Sequence, residues 1–277
     1  MPTKSYVLRD TPITAIDFET TGLSVDHGDR AIEVALVKHH PNGEVEHWDA
    51  LINPQTAIPL KTQAIHNITD AMVENAPTFD QIYPQLKRLI ANSIVVAHNA
   101  PFDIGFLHSE CRQHNLPYPI NGPVLDTLMM ARYLFGLPRC NLTSVATRFG
   151  LIVHNAHRAM FDARNTLHSF LQMLKELNLP PNITAKQFLQ TIEEYKPNGK
   201  KRLQMMAQLK QANREKRPVK ITYFSSDPER PLHLTRDISI NAIRPPHVIA
   251  HCFLREGKRH FRINRIFAVE ASQKLML

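Results

Sequence analysis

Five residues in three short segments are of the right type and order to do chemistry together. They are Asp17 and Glu19 in DFETTG (17–22), Asp103 in HNAPFD (98–103), and His157 and Asp162 in HRAMFD (157–162). Four carboxylates and one titratable ring are what phosphodiester hydrolysis with two divalent cations requires: acids to hold the ions, and a base to take the proton of attacking water. Each segment alone is weak evidence; the ordered set is strong.

The spacings say how these side chains must be presented. Asp17 and Glu19 are two apart, so on a strand both carboxylates project from one face. Ala15, Ile16 and Phe18 around them read as core. Two adjacent acids in such a strand repel unless a cation neutralises them. The competing reading is a pair of solvated acids, against which the apolar flanks and the Thr20-Thr21-Gly22 turn argue. Asp103 falls in the first turn of a helix opened by Asn99 as cap and Pro101, where a lone acid ordinarily serves the helix dipole. His157 and Asp162 are five apart, about 140° around a continuous helix. They share a cleft only if His157 lies on the loop before the helix and Asp162 in its opening turns. An imidazole with an unperturbed pKa near 6.5 is suited to accept a proton at neutral pH.

Alternating strand and helix signals supply the elements that position these residues. Strands are expected at Ile13–Phe18, Ala31–Lys38, Val45–Ile52 and Ile94–Ala97, with a strand edge at Val124–Leu125. Helices are expected near 79–90, from Asn99, and at 126–134, 142–149 and 159–177; Ile82, Leu86, Leu89 and Ile90 form one face of the first. Strands first and alternating units after imply a mixed sheet with helices on its faces, an α/β class. Pro180-Pro181 is a plausible boundary. Beyond it Thr184 caps a further helix. Pro197-Asn198-Gly199 breaks that helix, and Leu203, Met206, Ala207 and Leu209 recur at helical spacing. Five short strands follow, at 219–224, 238–243, 248–254, 259–263 and 266–269, the pattern of a small β-barrel or half-barrel.

At 277 residues, 43% hydrophobic and 21% charged, the chain has the composition of a globular protein with room for one large and one small domain. Its first thirty residues lack the apolar core of a signal peptide, and no apolar run reaches membrane-spanning length. Cys111, Cys140 and Cys252 are odd in number and widely spaced with no CxxC pair, which argues against a disulfide framework or a zinc knuckle and fits a reducing cytoplasm. The net charge of +8 is concentrated: residues 196–220 hold nine Lys/Arg and one acid, Glu215. Such a cluster reads as a nucleic-acid footprint, or else as a solvated helix kept soluble by lysines.

The motifs resemble the DnaQ-like 3′–5′ exonucleases of the DEDDh type, a family that includes the proofreading epsilon subunits of bacterial DNA polymerase III. The resemblance spans about Thr11–Leu177 and rests on DFETTGL at 17–23, IHNIT at 65–69, HNAPFDIGFL at 98–107, DTLMMAR at 126–132 and HRAMFDA at 157–163. The sister DEDDy group has tyrosine four residues before its last Asp. That position is Arg158 here, and His157 stands where the histidine subtype needs it. The resemblance implies an RNase H-like fold and two divalent cations, Mg²⁺ or Mn²⁺. Asp17 would bridge them, Glu19 and Asp162 would hold the ion that activates water, and Asp103 would help hold the second. His157 would be the general base. Thr20, Thr21 and Leu23 correspond to contacts with the terminal nucleotide, Leu23 either as a wedge against the base or as core. His66 lies in a segment where Asn67 replaces the family's usual glycine, and Phe102 either stacks on a base or is buried under its helix.

The C-terminal segments LKQANREKRPVKITY (209–223), ISINAIRPPHVIAHC (238–252) and RHFRINRI (259–266) resemble the WYL domain, an SH3-like module. The name-giving triplet is replaced by His247-Val248-Ile249. The resemblance implies nucleic-acid or small-ligand binding, with Arg244, Arg259, Arg262 and Arg265 as candidates. The expected organisation is an exonuclease domain at 1–180, a basic helical linker at 181–215 and a WYL-like β domain at 216–277. The expected activity is removal of 5′-mononucleotides from the 3′ ends of single-stranded or frayed DNA. The alternatives are a 3′–5′ exoribonuclease and a catalytically silent nucleic-acid-binding regulator. A folded module where the epsilon subunits carry a polymerase-binding tail favours a free-standing enzyme over a polymerase partner.

Overall fold

The computed structural model describes residues 5–151, 157–224 and 233–273. They fall into two compact units, the first made of the described residues up to 128 and from 141 to 188, the second of those from 129 to 140 and from 189 onward.

The first unit is built on β1 (Ile13–Thr20), β2 (Ala31–His39), β3 (Val45–Leu51), α1 (Leu60–His66), α2 (Asp70–Val73), α3 (Phe79–Ile90), β4 (Ile94–Ala97), α4 (Ala100–Gln113), β5 (Val124–Asp126), α5 (Thr127–Met129), α6 (Leu142–Arg148), α7 (Ala159–Leu177) and the start of α8 (Ala185–Tyr195). Its sheet has the order β3-β2-β1-β4-β5, with β1 antiparallel to β2 and parallel to β4. The strand at its centre is therefore the one that carries Asp17 and Glu19. β2 and β4 are buried along almost their whole length, which explains the apolar run of β4 and the largely apolar one of β2, interrupted by the buried Glu33 and Lys38. On one side α3 inserts Phe79, Ile82, Leu86 and Leu89 against Ile16, Phe18, Val34 and Leu36. Each such side chain contributes roughly 1.5–3 kcal/mol by leaving water. Helix α7 packs along β1 and β2. Helix α3 begins at Thr78, whose side chain forms a capping box with Gln81.

Several expectations are corrected in detail. Asn99 does precede α4, but with φ +69° and no side-chain cap; its backbone N–H donates instead to Asp126 Oδ1 at 3.1 Å. Asparagine tolerates this left-handed conformation better than other non-glycine residues. The helix expected at 126–134 is one α turn, α5, followed by a π-helical stretch at Met130–Leu134. Past Pro180-Pro181 the chain stays with the first unit: Val7 bridges Thr184, and Leu8 N–H donates to Ile183 at 3.0 Å.

The second unit comprises α9 (Lys200–Arg214) and an antiparallel sheet of β6 (Val219–Phe224), β7 (His233–Arg244), β8 (His247–Cys252), β9 (Gly257–Arg262) and β10 (Ile266–Ala271). The strand order is β10-β6-β7-β8-β9, and no pairing closes it into a barrel among the described residues. Its inner face gathers Val219, Ile221, Ile238, Val248, Ala250 and Phe261, with Leu209 and Ala212 of α9 laid upon them. The inward side of α9 carries Arg202, Met205, Leu209 and Ala212. Leu203, expected on that side, is exposed.

Arg202 is one of the nine cations of the basic stretch, yet it is buried. Its guanidinium donates to the carbonyls of Ile263 and Ile266, both at 2.9 Å, and also reaches those of Tyr195, Asn264 and Tyr133. Segment 129–140 is held in the same unit. Gly136 has φ +56°, a Cβ there would lie 2.4 Å from the Asn264 carbonyl, and the Gly136 carbonyl accepts from Arg265 Nε at 3.2 Å. Among the described residues, no helix is long and apolar enough to cross a membrane.

Candidate active site

The site forms where the C-terminal half of β1 meets the openings of α4 and α7. Along β1, Ala15, Ile16 and Phe18 are buried while Asp17 and Glu19 are half-buried, so the period-2 alternation turns both carboxylates out of the core together. Asp162 joins them from the first turn of α7. One carboxylate oxygen from each of Asp17, Glu19 and Asp162 lies within 4.8 Å of the others. Asp103, in the first turn of α4, stands beside this trio. It is 3% exposed, and its Oδ1 accepts the backbone N–H of Phe18 at 3.0 Å, between the two β1 acids. Two turns further along α4, Glu110 receives Arg30 Nε and Nη2 at 2.9 and 2.8 Å and the Ala31 N–H at 2.9 Å. That pair fixes the helix against the start of β2.

His157 sits on the loop before α7, as the five-residue spacing requires. It is exposed, has φ +69°, and its backbone N–H donates to Asp162 Oδ2 at 3.1 Å.

The electrostatics are those of an under-neutralised acid cluster. Burial raises Asp17 well above the usual carboxylate range, and the charges of Asp103, Asp162 and Glu19 raise it further. Glu19 is pushed up to about 8 by burial, then by Asp162, Glu33 and Asp103, with Arg158 opposing. Asp103 is likewise pushed up to about 8 by burial, against the hydrogen bond from Phe18. Burial also raises Asp162, countered by the His157 N–H. Carboxylates gathered so closely disfavour one another's ionised forms, a cost that a nearby positive charge relieves. The all-oxygen donor set suits a hard divalent cation such as Mg²⁺ or Mn²⁺.

The residues expected on the substrate side are placed unequally. Thr20 and Thr21 are buried, and their hydroxyls are engaged internally: Thr20 Oγ1 donates to the Gly22 carbonyl at 2.5 Å, and Thr21 Oγ1 accepts the Arg30 N–H at 2.9 Å. A Cβ on Gly22 would fall 2.3 Å from the Asp29 carboxylate, which itself holds the Ser24 N–H at 2.9 Å. Leu23 is 85% exposed, which removes the core-packing reading. His66 is only 2% exposed; its Nδ1 accepts the Ile68 N–H at 3.0 Å and burial lowers its pKa, so this ring offers little surface to a nucleotide. Phe102 is half-buried, with its ring 4.9 Å from that of Phe106.

The four arginines of the second unit also separate. Arg244 and Arg262 both pair across the sheet with His247 and so share its outer face, joined by His251 and Lys258. Arg259 pairs with buried Ala250, on the other side, and Arg265 is engaged by Gly136. A hollow of about 270 Å³ on the outer face is lined by Asn241, Arg244, Ile249, His251 and Lys258.

Sequence reasoning passed over Asp126, which accepts the N–H groups of Asn99 and Leu128 and so shapes the approach to α4. It also passed over Glu33 and the pair Arg30–Glu110. A signal existed for Glu33: an acid inside the apolar run AIEVALV needs a buried partner.

A mixed β3-β2-β1-β4-β5 sheet with acids on its central strand, answered by acids at two helix openings, defines an RNase H-like exonuclease fold. The Exonuclease family model matches residues 14–170 and the WYL domain model residues 204–271. The chain belongs to the exonuclease family, with a WYL domain following the nuclease fold. It is 40% identical over 167 residues to the DNA polymerase III subunit epsilon of Treponema pallidum, covering 58% of this chain and 75% of that protein. It is 34% identical over 175 residues to the PolC-type DNA polymerase III of Clostridium perfringens, a match covering 61% of this chain but only 12% of that polymerase. The structure of exonuclease X in complex with 5′-overhanging duplex DNA aligns with a TM-score of 0.50 at 25% identity, covering 63% of this chain and 98% of that one.

Proposed function

We propose that this protein is a metal-dependent 3′–5′ exonuclease of the DEDDh type that removes 5′-mononucleotides from single-stranded or frayed DNA ends. The observation that carries the reading is the convergence of Asp17, Glu19 and Asp162 within 4.8 Å, with Asp103 beside them. Asp17, Glu19 and Asp162 would hold one Mg²⁺ or Mn²⁺, and Asp17 with Asp103 a second. When bound, two such ions supply Lewis-acid polarisation of the scissile phosphate and neutralise its charge. The imidazole of His157, exposed at the mouth of the site, takes the proton of the attacking water. The backbone of the Thr20–Leu23 turn holds the terminal nucleotide, its form kept by the internal hydrogen bonds of both threonines, and Leu23 wedges against the last base.

The nuclease activity is assigned to residues 1–180, with 181–188 packed onto that unit; the rest of the basic helical stretch to 215 leads to the WYL-like β domain at 216–277, and that domain folds as an SH3-like half-barrel. Its Arg244–Arg262 face holds nucleic acid or a small anionic ligand. The enzyme works in the cytoplasm, free of a polymerase. In the test, 5′-end-labelled single-stranded DNA and RNA of one sequence are incubated with Mg²⁺ or Mn²⁺ and either wild type or Asp162→Asn. DNA should shorten faster than RNA, and only with wild type. Equal action by both proteins, or none, would overturn the reading.

A further inference from the structure

One fully buried acid next to the site belongs to none of the roles above. Glu33 lies on β2 directly opposite Glu19 in the antiparallel register and is 1% exposed. An acid in that position invites assignment as a further metal ligand, but its hydrogen bonds argue otherwise. Arg158 Nη2 donates to Oε1 at 2.6 Å, and Arg158 Nε reaches both oxygens at 3.2 Å. The backbone N–H of Ala159, the first residue of α7, donates to Oε2 at 3.0 Å. Both oxygens are thus occupied by donors of this chain, and Glu33 lies outside the trio of converging carboxylate oxygens.

Those donors are informative because they flank His157. Arg158 is the N-cap of α7 and Ala159 its first helical residue, so one carboxylate grips both the side chain and the backbone at the hinge between the His157 loop and the helix bearing Asp162. His157 itself is exposed and left-handed, and the only described hydrogen bond of its backbone is to Asp162. An exposed loop residue has little packing to hold it, so its placement falls to the residue after it. Replacing Arg158 by lysine keeps the charge but loses the planar fork that reaches both oxygens.

We infer that Glu33 and Arg158 are positioning residues, a clamp anchored on a buried carboxylate that holds the backbone at His157 so that the imidazole stays at the attacking water. The inference rests on His157 being the base. Proton transfer to a positioned base is worth about 10²–10⁴-fold, and loss of a supporting partner typically costs about 10–100-fold. Glu33→Gln and Arg158→Lys should each lower kcat on end-labelled single-stranded DNA by about 10–100-fold. KM should stay within about twofold, because the substrate turn is untouched.

The deciding measurement is a double-mutant cycle with His157→Ala, read as residual single-turnover rate at high enzyme concentration, with melting temperatures confirming that every variant folds. If the clamp acts through His157, Glu33→Gln costs less than about threefold once His157 is gone. The same 10- to 100-fold loss in both backgrounds would mean the pair supports the fold alone, and the inference fails. A Mg²⁺ requirement raised about 100-fold or more by Glu33→Gln, but not by Arg158→Lys, would make Glu33 a ligand and likewise overturn it. If His157→Ala alone has no effect, the base assignment has failed, a result separate from both. Arg158→Lys approaches the clamp from its exposed partner, so the cycle survives misfolding of the Glu33 variant.

Discussion

Stripping divalent cations from this protein should make it less stable as pH rises through neutrality. Asp103 and Glu19 ordinarily titrate at 3.8 and 4.5, and in the folded chain both are pushed up to about 8. Between these limits the folded chain holds protons that the unfolded chain has released. A carboxylate raised in this way gives stability that is complete below its ordinary pKa and lost as pH climbs to about 8. The slope is about 1.4 kcal/mol per pH unit for each proton so held. Glu19 is partly screened by solvent, so buried Asp103 sets the floor of one proton. With about 2–4 °C per kcal/mol for a unit of this size, Tm in chelator should fall by about 3–6 °C per pH unit between pH 5 and 8. A cation that binds only the ionised acids reverses this loss. At 100 times its Kd it adds about 2.7 kcal/mol, or about 5–11 °C, at pH 8. At pH 5, where protons occupy the site, it adds little. Scanning calorimetry with EDTA and with Mg²⁺ at both pH values makes the test, and the Glu19→Gln/Asp103→Asn double variant should flatten the slope. A chelated wild type whose Tm is level or rising from pH 5 to 8, or a Mg²⁺ increment equal at both, would refute the account of the cluster.

Two further substitutions probe the substrate turn and the second unit. Leu23→Ala should leave Tm unchanged, since the side chain is 85% exposed, yet lower kcat/KM on single-stranded DNA about 10- to 150-fold, because covering a leucine is worth about 1.5–3 kcal/mol. Unaltered kinetics would dismiss the wedge. Arg202→Met should strand the carbonyls of Ile263 and Ile266 and cost about 2–5 kcal/mol, seen as an early melting transition at least about 8 °C below wild type. A melt within about 2 °C would show that water satisfies those carbonyls.

The parts of the fold that could be read from the sequence are those whose signal is local. The 3.6-residue period of 79–90 and 159–177 and the short apolar run at 94–97 coincide with α3, α7 and β4. The five-residue gap between His157 and Asp162 required a loop-to-helix junction, and Arg158 caps the helix at that point. What escaped depends on partners distant in the chain. Glu33 and Arg158 are 125 residues apart, so nothing near either one announces the pair. The inward side of α9 is chosen by the sheet beneath it; hence Leu203 is exposed while Arg202, the more polar residue, is buried on a ring of carbonyls. The short helices α1 and α2, seven and four residues long, carry too little periodicity to be seen. The left-handed turn at Asn99 was hidden because asparagine is equally at home as an ordinary cap.

The central claim is that the converging acids of β1, α4 and α7 cut DNA from its 3′ end. The most direct measurement follows a single-stranded oligonucleotide labelled at the 5′ end in one reaction and at the 3′ end in another, with Mg²⁺, for wild type and Asp162→Asn. The account predicts a ladder of shortening 5′-labelled products, immediate release of a labelled mononucleotide from the 3′ end, and neither with the variant. Internal cuts, release from the 5′ end first, or an Asp162→Asn protein as fast as wild type would contradict it.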